Sequence, residues 1–120
     1  YKTGQPPSAA EQRTFDKQLL LEAAMIEAGG FESVGPATVA RAVFIGLGSI
    51  PTEVEAPLQD EPAAKIWEEL KELIAAYLDP AQGFTARRML QKDTDKGDYD
   101  QLSRFGEWDN SDDPTPEDLT

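Results

Sequence analysis

Apolar positions in this chain fall into three patterned stretches, separated by glycine, proline and acidic residues. In the first, Phe15, Leu19, Ala23 and Ile26 recur at the spacing of one helical face. Leu20, Leu21, Ala24 and Met25 widen that face until the second half is apolar nearly all round, which predicts burial on more than one side. Ser8 supplies an N-cap, and Glu11 three residues on completes a capping-box pattern. Gly29-Gly30 stops the helix. A single helix from Ala9 or Ala10 to about Ala28 is expected.

The second stretch, "TVARAVFIGLG", is rich in β-branched and aromatic residues. Val39, Arg41, Val43, Ile45 and Leu47 form one face of a strand, and Ala40, Ala42 and Phe44 the other. Both faces are mostly apolar, so the strand is expected inside a sheet. Gly48-Ser49 then turns the chain, and "TEVEAP" returns as a short edge strand blunted by Pro51 and Pro57. The third stretch is a helix capped by Asp60, running from Glu61 to about Leu78 and stopped by Asp79-Pro80. Ile66, Leu70, Leu73, Ile74 and Tyr77 follow its 3.6-residue period; Ile66, Leu70, Leu73 and Tyr77 are expected to share one buried face.

Beyond Gly83 the pattern weakens. Gly83 to Lys96 is polar and assigns to no element, whereas Gly97 to Trp108 ("GDYDQLSRFGEW") reads as a short helix with Tyr99, Leu102 and Phe105 on one side. Asp109 to Thr120 is acidic and proline-containing, the composition of a disordered tail. The expected organisation is one domain over residues 1–108 followed by a tail over 109–120. The fold class expected is α/β, mostly helical with a small sheet.

Composition removes several chemistries. The 120 residues include no cysteine and no histidine, which excludes a disulfide, a cysteine nucleophile, a Ser-His-Asp triad and a thiolate–imidazole zinc site. A metal would have to be a hard ion on oxygen ligands. The net charge of −12 opposes non-specific nucleic-acid binding by the chain as a whole. Half of it, however, sits in six acidic residues from Glu107 onward, where no basic residue occurs, so a local DNA site is compatible with it. No window approaches the roughly 18 continuous apolar residues of a membrane span. With no signal segment, a soluble, cytoplasmic protein is expected.

Local motifs narrow the choice further. "DTDKGDYD" resembles a calcium loop only in composition: counted from Asp93, Gly97 is fifth and Arg104 twelfth, where an EF-hand needs glycine sixth and glutamate twelfth. Gly46-Leu47-Gly48 lacks the third glycine of a nucleotide fingerprint and reads as a strand end. Arg87 and Arg88 are candidates for DNA phosphate contact, set against Asp93, Asp95, Asp98 and Asp100 nearby and against an ordinary surface role. Lys2 lies at what reads as a strand tip, followed by a Thr3-Gly4 turn and the stiff Gln5-Pro6-Pro7-Ser8 lead into the first helix. There an ammonium could stabilise an anion, or it could be a terminal lysine without a role. Gln18 is an amide on a largely apolar helix, needing partners if buried and none if exposed beside Lys17.

Taken in order, "YKTGQPPSAAEQRTFDKQLLLEAAM" resembles the end of the nuclease signature of RecB-type PD-(D/E)XK exonucleases. In that family a strand ends in Asp-Tyr-Lys-Thr-Gly, a proline-containing turn follows, and a helix carries Gln-x-x-x-Tyr. "VARAVFIGLG" and "AAYLDPAQGFTARRMLQKDTDKGDYDQLSRFGEWD" are similar to the C-terminal end of the AddB-type subunits of AddAB helicase–nucleases, which act in double-strand-break repair. The resemblance covers nearly the whole chain. It implies the C-terminal portion of a PD-(D/E)XK nuclease domain that begins one residue after a metal-binding aspartate, with the acidic ligands and most of the sheet upstream. It implies Mg²⁺ in the full domain, DNA as substrate, an AddA-type helicase–nuclease subunit as partner, and no membrane.

By the same resemblance Lys2 is the catalytic lysine, the main-chain carbonyl of Tyr1 lies against the metal, and Gln18 is the helix glutamine facing the site. Glu22 stands where the family has tyrosine. Some relatives hold an iron–sulfur cluster through C-terminal cysteines; none occurs here, so no cluster contribution is expected. The segment by itself is expected to be inactive, for want of the acidic ligands. The competing expectations are a structural or partner-docking module in which the acidic C-terminal region binds another subunit, and a small acidic regulator.

Overall fold

The computed structural model of the protein describes residues 1–84, 97–109, 111–113 and 115. Among these described residues, three helices and a two-stranded antiparallel sheet follow in the order α1 (Ala9–Thr14), α2 (Gln18–Glu27), β1 (Val43–Gly46), β2 (Thr52–Glu55) and α3 (Ala63–Leu78). The chain is thus a mixed α/β one. It divides into two compact units, Tyr1–Ala76 and Tyr77–Thr120.

The first unit starts with the expected capping box. Ser8 Oγ accepts from the Glu11 amide at 3.3 Å, and the Glu11 carboxylate accepts from the Ser8 amide at 2.8 Å. The single long helix predicted from here is in fact two. α1 ends after Thr14; the amides of Phe15 and Asp16 both donate to the Glu11 carbonyl, and α2 restarts from Lys17. Thr14, Phe15 and Asp16 are weak helix formers. Asp16 and Lys17 each carry a charge that finds a partner elsewhere in the fold, Lys2 and Glu69 respectively. Tertiary pairing therefore outweighs a continuous helical ladder at this point. Phe15 sits in the interruption and is largely exposed, so the core-facing residues of α2 are Leu20, Ala23 and Ala24.

The end of α2 is a Schellman motif. Gly30 N–H donates to Met25 O and Gly29 N–H to Ile26 O, with Gly29 at a φ of +78° that a residue with a Cβ rarely adopts.

β1 and β2 pair antiparallel, with Val43 opposite Glu55, Phe44 opposite Val54, Ile45 opposite Glu53 and Gly46 opposite Thr52. The strand predicted over Val39 to Leu47 is shorter than expected because its partner is short. β2 is flanked by Pro51 and Pro57, and the last main-chain pairing is Ala56 N–H to Ala42 O. Upstream of it, Val39 N–H turns instead to the Glu27 carboxylate, and Arg41 reaches Glu53 and Glu55 on β2. β1 is nevertheless interior: its other edge pairs in parallel with Lys2, whose amide donates to Ile45 O and whose carbonyl accepts from Leu47 N–H, each at 2.9 Å.

α3 begins at Ala63, with Pro62 O accepting from Ile66 N–H. Asp60, expected as its cap, instead pairs with Arg13. The core joins Leu20 and Ala24 of α2, Ala56 beyond β2, and Ala63 and Ile66 of α3, with Leu19, Leu21, Ala42, Leu58 and Trp67 packed against it. It reaches α3 only over the first turns. Leu70 is half-buried and Leu73 is 56% exposed, which corrects the expectation of a face buried along the whole helix.

In the second unit, Tyr77 is about half exposed and stacks on Phe84 at 5.1 Å between ring centroids. The helix expected over Gly97 to Trp108 is a series of turns. Arg104 and Gly106 both take positive φ, +55° and +97°, which no continuous α-helix accommodates. Tyr99 and Leu102 are exposed, while Phe105 packs edge-on against Trp108 at 5.5 Å. The proposed tail, 109–120, falls largely outside the described residues.

Candidate functional site

The candidate site is built on the pairing of Lys2 with β1. The Thr3-Gly4 turn, with Gly4 at φ +91°, takes the chain off the sheet edge, and Pro6 then crosses over Gly46. The crossing is close. A Cβ at Gly46 would lie 2.9 Å from Pro6 Cδ and Cγ and 2.8 Å from Thr52 Oγ1. Glycine is therefore needed at this strand end for proximity, and the resulting contact holds the Lys2 segment alongside β1.

From this backbone position the Lys2 side chain reaches two groups. Its Nζ lies 2.6 Å from Asp16 Oδ2 and 5.2 Å from the centroid of the Phe44 ring. Phe44 is buried, so the ammonium rests on an aromatic face backed by the core. The side chains of Lys2 and Asp16 remain 34% and 25% exposed, so the cation can still be approached from solvent. A one-sided, partly desolvated ammonium of this kind is suited to hold an oxyanion.

Gln18 is the first residue of α2 and is exposed; its Nε2 donates to Glu22 Oε1 at 2.9 Å, one turn along. No hydrogen bond joins it to Lys2. Tyr1 is 87% exposed. Arg87 and Arg88 lie outside the described residues. An open recess beside the Thr3-Gly4 turn is lined by Gly4, Gln5, Gly48, Ser49, Ile50 and Thr52; with no charged side chain in its wall, it does not have the makings of a phosphate pocket.

A hard divalent cation takes about six oxygen ligands, with carboxylates prominent among them. Among the described residues no three acidic side chains are grouped as a metal site requires. The carboxylate nearest Lys2, Asp16, is already bonded to it. The residues present do not fit a metal by themselves.

Sequence reasoning missed Asp16, Phe44 and Gln12. Gln12 is fully buried, and its Nε2 donates to the carbonyls of Pro7 and Glu55, each at 3.2 Å. Both neighbours are acceptors, which fixes the amide orientation and leaves Oε1 buried without a partner. A glutamine inside "AAEQRTF" carries no sign of burial, because a six-residue helix is too short to display a period.

A second charge cluster lies along α3. Lys17 and Lys65 flank Glu69, and the Lys17 hydrogen bond, opposed in part by burial, holds the Glu69 carboxyl below its ordinary value. The Lys65 ammonium is raised, chiefly by its hydrogen bond to Glu61. These groups lie at the surface, partly buried at Lys17 and Glu61, and their contacts are ion pairs with one another. Among the described residues no helix is long and apolar enough to cross a membrane. No family model matches the chain, and no curated protein or solved structure matches it.

Proposed function

We propose that the chain is the C-terminal portion of a RecB-like PD-(D/E)XK nuclease domain of an AddB-type subunit, hydrolysing DNA phosphodiesters in double-strand-break repair. The observation that supports this reading is the placement of Lys2. It forms a parallel bridge to an interior strand, is followed by a turn and, after Gln5–Ser8, by a helix, and presents a half-buried ammonium. An ammonium in that position stabilises the charge that grows on a phosphate as water attacks.

In the full domain, Mg²⁺ would take its acidic ligands from chain preceding Tyr1, and the Tyr1 carbonyl and Gln18 would adjoin them. DNA and an AddA-type helicase subunit are the partners this reading assigns, in the cytoplasm.

The test is Lys2→Ala in the full-length protein that carries this chain. Mg²⁺-dependent cleavage should fall by roughly 10²–10³ while DNA unwinding by the complex persists, since unwinding draws on separate motor elements. Cleavage at the wild-type rate would overturn the proposal.

A second reading, a non-catalytic docking module, is favoured by the exposed apolar side chains of Leu73 and Ile74 on α3. In that case Lys2→Ala leaves cleavage unchanged, while Leu73→Asp weakens assembly of the complex.

A further inference from the structure

We propose that Asp16 is the positioning residue for Lys2: its carboxylate fixes where the ammonium points, and so where an oxyanion is received. This inference rests on the nuclease reading of Lys2 and adds to it a residue the sequence did not single out.

The argument starts from the flexibility of lysine. Four rotatable bonds leave an unrestrained ammonium distributed over many rotamers, and a group so distributed is rarely in place when charge develops. Lys2 is restrained at both ends. Its main chain is bonded on both sides to β1, through Ile45 O and Leu47 N–H. Its ammonium is bounded by the Phe44 ring at 5.2 Å and by Asp16 Oδ2 at 2.6 Å. The ring bounds the ammonium on one side but offers no hydrogen-bond acceptor to fix which way its N–H groups point. The carboxylate supplies direction. It takes one ammonium hydrogen and leaves two for an anion arriving from the exposed side.

Asp16 occupies this position because the first helical stretch is interrupted there. The Asp16 amide donates to Glu11 O, one residue beyond the ordinary helical partner, and the residue belongs to neither α1 nor α2. The interruption gives up regular helical hydrogen bonds. What stands against that loss at Asp16 is its bond to Lys2, 14 residues back along the chain.

The experiment uses the full-length protein, with Lys2→Ala, Asp16→Ala, Asp16→Asn and the Lys2→Ala/Asp16→Ala double variant. Mg²⁺-dependent cleavage is measured against DNA concentration. Asp16→Ala should lower kcat on the order of 10-fold with KM little changed, as expected when a reacting group is misaimed but binding is kept. Asp16→Asn, which keeps the shape and a weaker acceptor, should lose less. Because Asp16 acts through Lys2, the double variant should cleave no more slowly than Lys2→Ala alone.

A readout independent of activity is the rate at which an amine-reactive acylating reagent labels Lys2, followed on the peptide that contains it. Labelling should quicken in Asp16→Asn, where the ammonium is no longer held by a charge. Wild-type or faster cleavage by Asp16→Ala, unchanged labelling, or a double variant well below Lys2→Ala would each overturn the positioning role. If Lys2→Ala is inactive in those cases, the nuclease reading survives alone. If Lys2→Ala cleaves normally, both fall.

Discussion

The side-chain amide of Gln12 donates to the main-chain carbonyl of Glu55 at 3.2 Å, joining α1 to the end of β2 across 43 residues of chain. The same nitrogen holds the Pro7 carbonyl, so one buried side chain ties the lead into α1 to the hairpin. Gln12→Ala would leave both carbonyls facing a cavity. A buried polar group deprived of its partner costs about 1–3 kcal/mol, and the variant should lose about that much in a denaturant titration. An unchanged midpoint would mean that water replaces the amide.

The core predicts a gradient along α3. Ile66 is 1% exposed within the cluster that includes Leu20 and Ala24, so Ile66→Ala should cost about 2–5 kcal/mol. Leu73 is 56% exposed, and Leu73→Ala should stay within about 0.5 kcal/mol. Leu70, half-buried between them, should give an intermediate value. Equal losses at Ile66 and Leu73 would show that the distal part of the helix is covered after all.

This gradient marks a limit of what the sequence discloses. The 3.6-residue period of Ile66, Leu70, Leu73 and Tyr77 correctly implied a helix, but periodicity reports which residues share a face and not how far a core extends along it. The capping box at Ser8 and Glu11 and the glycine stop at Gly29-Gly30 were legible because each depends on residues within one turn. The hairpin was legible for a similar reason, from Gly48-Ser49 and the flanking prolines. The interruption at Asp16 was not, since it depends on Lys2 and Glu69, distant in sequence and invisible to a local pattern. The same holds for the candidate site. Lys2 could be singled out from its neighbours in the chain, whereas Asp16 and Phe44 meet it only through the fold.

Glu69 gives a pH dependence with a definite sign. Its carboxyl is held below the ordinary value of 4.5, first by the Lys17 hydrogen bond and further by the charges of Lys17 and Lys65. A depressed folded-state value means that the ionised form stabilises the fold. That contribution is complete above about 4.5 and is lost as pH falls through the folded-state value below it. Glu69→Gln should therefore be less stable than wild type near neutrality, by a small margin because the pair is exposed, and the two should converge in acid. Thermal melts of both proteins across that range measure it; a gap that widens in acid contradicts the assignment.

Gly46 offers the sharpest check on how the Lys2 segment is held. Its backbone does not take positive φ, so replacing it with alanine introduces no left-handed strain. The obstacle is space. The new Cβ would stand 2.9 Å from two carbons of the Pro6 ring, which is rigid, and 2.8 Å from Thr52 Oγ1, which can rotate away. Relief must come from displacing Pro6, and with it the segment whose amide and carbonyl pair Lys2 with β1. Overpacking of this kind costs about 1–3 kcal/mol, the loss expected for Gly46→Ala on chemical unfolding. Pro6→Ala removes both clashing carbons, so the Gly46→Ala/Pro6→Ala double variant should recover part of the loss relative to Pro6→Ala alone. The amide of Lys2 should exchange with solvent faster in Gly46→Ala and return toward its wild-type rate in the double variant. If Gly46→Ala is as stable as wild type and the Lys2 amide equally protected, the close crossing of Pro6 is not what holds the strand tip in place.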